Sequence, residues 1–558
     1  HKFYLSFHSS TLYSNAIFCF DVSMSGLTRF SAHSQRTIAR VLLCSAILGL
    51  SACSTLPKNT IQPVAYAFST PTDQTHLARI VLPLREKYPQ LTGYHLLADP
   101  LEALAARLHL IDTAEKTLDL QYYIWDNDKI GALALDGIIR AADRGVKVRL
   151  LIDDNNSKKM QGIYLALDQH ANIEVRLFNP YRFRYMRTLD IILDLKRINR
   201  RMHNKSFIVD NQLSLIGGRN MSNQYYNVSD NYQFSDVDVI LAGAASDEIV
   251  HSFDEYWNDE YAYPVVNLVD PNKYNLDFHS LKQQVADHSR LATVQNYLDL
   301  AARGRAFENW LENDIQLNWV EASIVKDPPN KIKGLAEEDE YLAAQLAEQL
   351  EHPKSQVDII SAYFVPQPAG SQLLTDLAQN DVKVRVLTNS YKANDVALVH
   401  AFYAKYRKDL LKNNVEVYEF LSAPEFAHLN ANTHEISQKA KVSLKGLSRS
   451  SLHAKMLAID EKQVFVGSFN FDPRSVKYNS EIGVILNSPN LARAVHQTMD
   501  QNLSKYAYKL MLNANEKIHW QLTHQDGRIE TLNKEPKIKW WQQVGLKMIS
   551  WLPIEDLM

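Results

Sequence analysis

The chain carries one motif twice, once in each half, and this repeat constrains the fold more than any other feature. A histidine, a lysine, an aspartate, a glycine and an asparagine stand at the same offsets in both copies. Its members are His203, Lys205, Asp210, Gly217 and Asn220 in the first copy and His453, Lys455, Asp460, Gly467 and Asn470 in the second. Five fixed residues recur by chance on the order of 10⁻⁷ per position. We therefore expect a duplicated unit whose two halves pack together.

Strand and helix patterns repeat in the same order around the two copies. The first half predicts a strand at 118–125, a helix at 131–144, a strand at 146–152 and another at 173–178. The second half predicts a strand at 357–365, a helix at 372–379, a strand at 382–387 and another at 415–420. Strands that alternate with helices indicate sheets covered by helices. The sequence thus predicts an α/β fold of two pseudo-symmetric lobes, in which mixed sheets are flanked by helices and one central active site is shared.

The repeated pattern, H-x-K-x4-D-x6-G-[GS]-x-N, resembles that of the phospholipase D superfamily, in which two such motifs build one active site. The resemblance extends from about Leu97 to the C-terminus. Longer stretches, including 199–205 and 467–475, are similar to bacterial cardiolipin synthases of the C type. Such enzymes transfer a phosphatidyl group to phosphatidylglycerol, and C-type enzymes are associated with phosphatidylethanolamine as the donor. The resemblance implies the same reaction here.

The residue types in the motif suit attack on a phosphodiester. Alternate residues of a strand share a face, so each copy presents an imidazole beside an ammonium. Two imidazoles can act as nucleophile and as general acid, while lysines hold the anionic oxygens. The predicted catalytic residues are His203, Lys205, Asn220, His453, Lys455 and Asn470, with the asparagines as amide donors and a covalent phosphohistidine as intermediate. Which histidine attacks stays open at this point.

Supporting carboxylates are predicted beside the histidines. A nucleophilic histidine needs a carboxylate on its far ring nitrogen. Asp236 and Glu481 occupy matching positions in the repeat, and the resemblance assigns them this role. Asp210 and Asp460 are also supporting residues, and a structural role is favoured for them. No metal and no cofactor are predicted, because a lysine stands where a second ligand would be and the body of the chain lacks cysteine.

The beginning of the chain resembles a lipoprotein signal. Arg36 and Arg40 precede the apolar stretch 41–50, which leads to Leu-Ser-Ala-Cys ending at Cys53. Small residues before the cysteine are typical of a lipobox, so Cys53 is the predicted lipidation site. Met24 would start a signal of normal length, and 1–23 would then be a mis-assigned extension. A short buried apolar helix is the alternative. The signal predicts a bacterial envelope protein, lipid-anchored and facing the periplasm, at the outer membrane.

Composition narrows the class of protein. Of 558 residues, 46% are hydrophobic and 22% charged, which excludes a disordered chain, and a net charge of −3 argues against wrapping nucleic acid. No apolar run reaches the ~18 residues of a membrane-spanning helix. The predicted division is signal 1–52, tether 53–96, first lobe 97–260, linker 261–341, second lobe 342–510 and membrane-interface segment 511–558.

Three features favour a lipid substrate over a nucleic acid. The lipobox is one. The second is 181–205, in which eight lysines or arginines alternate with aromatic and aliphatic residues, and the third is the lysine- and tryptophan-rich stretch 537–552. Both stretches suit a membrane interface. A solvated basic helix or a nucleic-acid surface remains the alternative for the first, and docking on the protein core for the second. His400 could line the pocket or be structural.

The predicted function is synthesis of cardiolipin from phosphatidylglycerol and a second phospholipid, phosphatidylethanolamine. The expected partners are these phospholipids and a membrane surface, with no nucleic acid and no obligate protein partner. A phospholipase D that hydrolyses phospholipids to phosphatidic acid is the main alternative, because water can replace the accepting alcohol. A nuclease of the same superfamily ranks below it.

Overall fold

Two mixed β-sheets, each flanked by helices, form the body of the protein. The structure, a computed structural model, describes residues 64–226, 234–291, 316–422, 451–524 and 526–557, together with Leu56, Asn59 and Val228. The strands are β1 (Thr92–Leu97), β2 (Thr117–Tyr122), β3 (Lys147–Asp153), β4 (Ile173–Phe178), β5 (Ser206–Val209), β6 (Leu213–Gly217), β7 (Phe234–Ser235), β8 (Asp238–Gly243), β9 (Ala262–Pro264), β10 (Asn318–Val320), β11 (Ala322–Lys326), β12 (Gln356–Ser361), β13 (Lys383–Asn389), β14 (Glu416–Phe420), β15 (Ser451–Leu452), β16 (Lys455–Ile459), β17 (Gln463–Gly467), β18 (Ile482–Leu486), β19 (Ala507–Leu512), β20 (Ile518–Thr523) and β21 (Ile529–Leu532).

Helices connect and cover these strands. The described α-helices are α1 (His76–Lys87), α2 (Pro100–Thr113), α3 (Lys129–Asp143), α4 (Gln161–Leu167), α5 (Arg187–Leu193), α6 (Leu195–Ile198), α7 (Ala244–Trp257), α8 (Phe278–Ser289), α9 (Pro329–Lys333), α10 (Leu342–Gln349), α11 (Gln367–Gln379), α12 (Ala397–Tyr403), α13 (Arg407–Lys412), α14 (Pro473–Lys477), α15 (Pro489–Tyr506) and α16 (Trp540–Ile549). Several begin where the sequence supplies a capping side chain: Asp99 caps α2, Asp128 caps α3 and Ser488 caps α15.

The central strands of the two sheets have the same order, and the sheets differ at their edges. The first is β10-β1-β8-β6-β5-β2-β3-β4-β9, and the second is β11-β18-β17-β16-β12-β13-β14-β19-β20-β21. In each sheet three strands are parallel, β2-β3-β4 and β12-β13-β14, and helices cross between them as parallel pairing requires. The strand that follows each histidine, β5 or β16, pairs antiparallel with the first of these. The predicted class, two pseudo-symmetric α/β lobes with mixed sheets, is confirmed.

The hydrophobic core has three parts. One lies on the first sheet under α2, α3 and α4, and another lies on the second sheet under α10, α11 and α13. The remaining part takes residues from both sheets and from α7 and α15, among them Ile208, Val239, Phe253, Val466 and Val495. The lobes therefore share a buried apolar interface, which holds their two motifs in a fixed relation.

Short backbone pairings also join the lobes beside the two motif histidines. β7 pairs in parallel with β15, so that Ser235 lies opposite Leu452, and Met202 forms a bridge with Ser480. The N–H of His203 donates to the carbonyl of Ser480 at 2.9 Å. The equivalent N–H of the second histidine donates to the carbonyl of Ser235 at 2.7 Å. The backbone of each histidine is thus hydrogen-bonded to the other lobe.

Three of the predicted segments contain more regular structure than expected. The tether 53–96 contains α1 and most of β1. The linker 261–341 supplies β9 and β10 to the first sheet and β11 to the second, and 511–558 supplies β20 and β21 to the edge of the second sheet. β9, β10, β11 and β21 are the outermost strands of their sheets, and strands of three to five residues are too short to show a clear hydrophobic pattern. The predicted signal and Cys53 lie outside the described residues. Among the described helices, none combines the length and the apolar character that a membrane crossing requires.

The C-terminal strands predict a contrast between two tryptophans. Trp520 on β20 is 5% exposed and donates to Glu419 at 2.9 Å, whereas Trp541 on α16 is 55% exposed. Trp520→Ala should lower the free energy of unfolding by about 3–5 kcal/mol, since it leaves a cavity and removes the hydrogen bond to one oxygen of the buried Glu419 carboxylate. Trp541→Ala should change it by less than about 0.5 kcal/mol. Thermal unfolding followed by circular dichroism measures both, and equal effects would contradict the packing of β20 onto the sheet.

Candidate active site

The two histidines lie buried at the same end of their sheets. His203 and Lys205 lie just before β5. His453 lies just before β16, and Lys455 is the first residue of that strand. All four side chains are buried. The ammonium of Lys205 donates to the carbonyl of His203 at 2.6 Å, and that of Lys455 donates to the carbonyl of His453. The charge of each lysine also acts on the histidine of the other lobe, so the two motifs face one site.

Each imidazole is held by a carboxylate from the opposite lobe. Nδ1 of His203 lies 2.8 Å and 3.0 Å from the two carboxylate oxygens of Glu481. Nδ1 of His453 lies 2.5 Å from Oδ2 of Asp236. An ionised carboxylate can only accept a hydrogen bond, so the ring nitrogen that faces it carries the proton. Nδ1 is therefore the protonated nitrogen of each histidine, and Nε2 keeps its lone pair. The structure thus brings the two predicted carboxylates to the two predicted histidines, across the lobe interface.

The two carboxylates are supported differently. Glu481 accepts hydrogen bonds from the hydroxyls of Ser468 at 2.5 Å and Ser475 at 3.0 Å. Asp236 instead lies against Gly218, where a Cβ would come within 2.3 Å of its carboxylate oxygen. The glycine-or-serine position of the motif therefore reflects which acid it faces. The sequence showed that this motif position is glycine in the first copy and serine, Ser468, in the second. It did not show that Ser468 donates to Glu481.

Burial and charge set the protonation states of the site. Burial lowers the pKa of His203 to about 4, an effect that Glu481 only partly offsets, and burial together with Lys455 lowers the pKa of His453 to about 3. Burial also lowers the pKa of Lys205 to about 7, and lowers the pKa of Lys455. At neutral pH both imidazoles are therefore neutral, the form that can attack phosphorus.

The carboxylates stay ionised in spite of their burial. Burial by itself raises the pKa of Asp236 and of Glu481, but the histidine and lysine beside each carboxylate outweigh burial and lower both values. Glu481 is further fixed by its backbone, because its N–H donates at 2.9 Å to Asp327, which is paired with Lys331 at 2.9 Å. Asp327 lies in the predicted linker 261–341, and its contact with Glu481 joins residues far apart in sequence, which no local pattern reveals.

The two motif asparagines have different surroundings. Oδ1 of Asn220 accepts from the N–H of Ile124 at 3.0 Å, and its Nδ2 donates to the hydroxyl of Tyr225 at 2.8 Å. The ring of Tyr225 stands edge-on to His453, with 5.2 Å between the ring centroids. Asn220 therefore positions Tyr225, a residue that sequence reasoning missed. Asn470 donates its backbone N–H to the hydroxyl of Ser475 at 3.2 Å.

The two motif aspartates lie at the far end of their strands from the histidines. Asp210 accepts from the backbone N–H groups of 115–117 at 2.7–3.0 Å, and Asp460 accepts from those of 354–356 at 2.8–3.2 Å. Both residues have a left-handed backbone, with φ of 49° and 48°, in the tight turn before the next strand. These contacts tie the β-hairpin of each motif to the start of β2 or β12 and do not reach the reacting groups.

The basic segment 181–205 differs from its predicted role. Six arginines in it have partners within the chain: Arg184 and Arg187 pair with Asp154, Arg201 with Asp153, Arg182 and Arg197 with Asp194, and Arg200 with the carbonyl of Lys331. Buried carboxylates require such partners, so these cations stabilise the loop after β3. The segment exposes apolar side chains, of which Ile192 is 76% exposed. The expectation that its cations engage anionic head groups is therefore corrected.

An aromatic contact links this segment to His203. The ring of Tyr123 stands edge-on to His203 with 5.0 Å between ring centroids, and its hydroxyl accepts from Asn155 at 2.9 Å. Asn155 also accepts from the hydroxyl of Tyr181 at 2.7 Å. The guanidinium of Arg187, the first residue of α5, lies 4.6 Å from the ring centroid of Tyr181, so a chain of contacts connects the start of α5 to the first histidine. His400, by contrast, is buried beside Glu535 and belongs to a different cavity.

Metal binding has no support in the arrangement of side chains. Within the described ranges, histidine, cysteine, aspartate and glutamate side chains nowhere form a group of three or more that could hold a metal ion. The ammonium groups of Lys205 and Lys455 supply the positive charge of the site, where the reacting oxygens would carry negative charge.

The buried neutral histidines predict a loss of stability in acid. The ordinary pKa of histidine is near 6.5, so between pH 6.5 and pH 4 the unfolded chain binds protons that His203 and His453 do not. The free energy of unfolding should fall with decreasing pH by about 1.4 kcal/mol per pH unit for each of these histidines. Urea unfolding at pH 7 and pH 5 measures the slope. The variant His203→Gln/His453→Gln should have a shallower slope, and an unchanged slope would show that the histidines are not buried in neutral form.

Known proteins share this sequence and fold. Residues 108–257 and 346–503 match the family model described as cardiolipin synthase, PLD-like domain. Cardiolipin synthase C of Escherichia coli K12 is 39% identical over 86% of this chain and 99% of its own length. A cardiolipin synthase of Oceanobacillus iheyensis is 22% identical over 75% of this chain and 70% of its own length.

A solved structure has the same architecture. The crystal structure of phosphatidylserine synthase from Haemophilus influenzae matches 86% of this chain and 99% of that chain, with a TM-score of 0.52 and 14% sequence identity. This likeness supports the two-lobed fold. The family match covers both repeated halves, and each half contains one histidine held by the other half's carboxylate. The chain therefore belongs to the cardiolipin synthase family within the phospholipase D superfamily, and it is an enzyme of the phosphatidyltransferase or phospholipase D type.

Proposed function

We propose that this protein is a phosphatidyltransferase that synthesises cardiolipin. The observation that carries the proposal is the pair of buried, neutral imidazoles, each held at Nδ1 by a carboxylate and flanked by an ammonium. This arrangement suits displacement at a phosphodiester, because it supplies a nucleophile, a proton donor and cations for the anionic oxygens. The similarity to Escherichia coli cardiolipin synthase C over nearly the whole described body supports a phospholipid as the substrate.

In the first half of the proposed reaction one imidazole attacks the phosphorus of a donor phospholipid. Nε2 of that histidine forms the bond to phosphorus, and the bond from phosphorus to the head-group alcohol breaks. The other histidine protonates the leaving alcohol. Lys205 and Lys455 hold the non-bridging oxygens, with Asn220 and Asn470 as further candidate donors. The product of this half is a phosphatidyl group bound covalently to histidine.

In the second half an alcohol takes the place of the one that left. A free hydroxyl of phosphatidylglycerol gives its proton to the second histidine and attacks phosphorus, and the bond to the first histidine breaks. Cardiolipin is released and both histidines return to their starting states. Leaving and entering alcohols use the same side of the phosphorus, so a single general acid and base serves both halves. One nucleophile and one acid and base are therefore enough, and two similar motifs supply them.

The negative charge of the substrate explains how one histidine acquires the proton that it gives to the leaving alcohol. In the absence of substrate both imidazoles are neutral, since burial lowers the pKa of His203 to about 4 and that of His453 to about 3. A phosphodiester anion beside the rings favours the charged form of an imidazole and raises its pKa. Substrate binding therefore promotes protonation of one histidine. The lowered pKa of Lys205, about 7, rises in the same way.

The donor and the location are part of the proposal. We infer phosphatidylethanolamine as the donor, phosphatidylglycerol as the acceptor and a bacterial envelope membrane as the site of action, with Cys53 lipidated and the body facing the periplasm at the outer membrane. The apolar residues exposed on α5, a helix whose first residue is connected to His203 through Tyr181, Asn155 and Tyr123, support contact with lipid. The same surface is unsuited to a nucleic acid, because the arginines behind it are paired with aspartates.

Product analysis tests the proposed function directly. The purified protein is mixed with vesicles of phosphatidylglycerol and phosphatidylethanolamine, and the lipids are identified by mass spectrometry. Cardiolipin should form without an equivalent amount of phosphatidic acid. His203→Ala and His453→Ala should each lower turnover by at least about 10³-fold, because neither half-reaction proceeds with one imidazole. Phosphatidic acid as the main product would instead identify a hydrolytic phospholipase D. Full activity in either variant would exclude the shared site.

The cross-lobe carboxylate predicts a second kinetic effect. Glu481→Gln keeps the shape of the side chain, and an amide can still accept from Ser468, but it removes the charge that fixes the tautomer of His203. We expect kcat to fall by on the order of 10²–10⁴-fold with little change in KM. Glu255→Gln, at an exposed carboxylate paired with Lys326, serves as the control and should leave kcat unchanged. A large rise in KM with normal kcat would mean that Glu481 acts in substrate binding rather than in orienting His203.

A further inference from the structure

A cavity lies at the C-terminal edge of the second lobe, apart from the two motif histidines. It has a volume of about 670 Å³ and is bounded by α12, α13, the β19–β20 hairpin and α16. Cavities that bind small ligands have volumes of about 300–1,000 Å³. Neither motif contributes a residue to its lining, so the proposed reaction leaves this cavity without a role.

Three lysines give the cavity an unbalanced positive charge. Lys517, Lys534 and Lys547 line it, and none of them forms an ion pair with a carboxylate in the described part of the chain. The acidic residues of the lining are already engaged, because Glu516 pairs with Lys408 and Lys412, and Glu535 pairs with Arg407. A group of unpaired lysines around a concave surface attracts an anion.

The inner wall of the cavity offers buried polar groups. His400 is fully buried and lines the cavity, and its Nδ1 has no hydrogen-bond partner among the described residues. The same holds for Nε of Arg407, although the remainder of that guanidinium contacts Glu535 at 2.8 Å. The buried part of the lining is therefore polar, which suits the head group of a ligand rather than an acyl chain.

The outer rim of the cavity is apolar and exposed. Trp551 closes one side of the opening and is 72% exposed, and Lys547 lies over its ring, with 5.9 Å between Nζ and the ring centroid. On the same helix and the turn after it, large apolar side chains are exposed, namely Trp540, Trp541, Val544, Met548 and Leu552. Tryptophan and lysine together are typical of segments that lie in a membrane interface.

We propose that this cavity binds the phosphate of an anionic phospholipid in the membrane while the tryptophan rim lies in the interface. The three lysines contact the head-group phosphate, and the buried nitrogens of His400 and Arg407 form the inner wall. The occupant is a membrane lipid rather than a soluble phosphate, because the rim is too apolar to remain exposed without a partner. The proposal goes beyond the reaction at the two histidines and holds whether the enzyme transfers or hydrolyses.

Hydrogen exchange on vesicles tests this site. The full chain is reconstituted on phosphatidylcholine vesicles with or without phosphatidylglycerol, and mass spectrometry follows the amides of 533–552. Phosphatidylglycerol should slow exchange there at least about five-fold. The variant Lys517→Gln/Lys534→Gln/Lys547→Gln should lose this protection, because each lysine near an anionic surface contributes roughly five-fold in binding constant. Unchanged protection in the variant would overturn the proposal, as would equal protection on phosphatidylcholine alone.

Control arms separate the site from other effects. Lys282→Gln/Lys383→Gln/Lys462→Gln removes the same charge at exposed, paired lysines and should keep the protection, whereas an equal loss would mean that net charge alone is responsible. Glycerol 3-phosphate in solution should not protect 533–552 on phosphatidylcholine vesicles, and protection by it would replace the lipid with a soluble phosphate. The inactive variant His203→Ala/His453→Ala should keep the protection, so that failure of the proposed reaction and failure of this site are distinguishable.

Discussion

The contact between each histidine and a carboxylate of the other lobe is the interaction on which the site depends. His203 with Glu481 and His453 with Asp236 join the lobes at 2.8 Å and 2.5 Å, inside a surrounding that excludes most solvent. Removing one partner of either pair would leave the other group buried without its partner, which costs about 3–5 kcal/mol where that group is charged. Neither lobe therefore contains a complete nucleophile with its orienting acid, and a functional site exists only in the assembled pair.

The two halves of the site are similar in plan and different in detail. Glu481 is one methylene longer than Asp236, and two serine hydroxyls share its charge, whereas Asp236 lies against Gly218 and receives no serine hydroxyl among the described contacts. His203 and His453 consequently face carboxylates that have different lengths and different hydrogen-bond partners, although burial lowers the pKa of both imidazoles. A duplicated motif has thus yielded two imidazoles that are chemically unequal, which suits a reaction in which one attacks and the other transfers protons.

The sequence was informative wherever the chemistry is local. The spacing of the motif placed His203 and His453 at equivalent positions before two equivalent strands, and the aligned positions of Asp236 and Glu481 identified the acids. It could not show that each acid serves the opposite histidine, because that pairing arises from the packing of two sheets. The arginines of 181–205 illustrate the converse: a basic stretch reads as a binding surface, but carboxylates distant in sequence, Asp153 and Asp154, bind those cations. The C-terminal strands were missed because edge strands lack a strong hydrophobic pattern.

The proposed membrane contacts are located where unpaired or apolar groups remain on the surface. The arginines of 181–205 are paired with carboxylates within the fold. The surface at α5 therefore exposes apolar side chains, and the charge of those arginines is balanced. Unpaired lysines are found instead around the cavity beside α16. The C-terminal turn that follows α16 is tied to α14 of the second motif, because Asp556 pairs with Lys477 at 2.8 Å. A lipid head group bound beside α16 would therefore hold the second motif at a fixed position relative to the membrane, and the apolar residues of α5 would face the acyl region from the first motif.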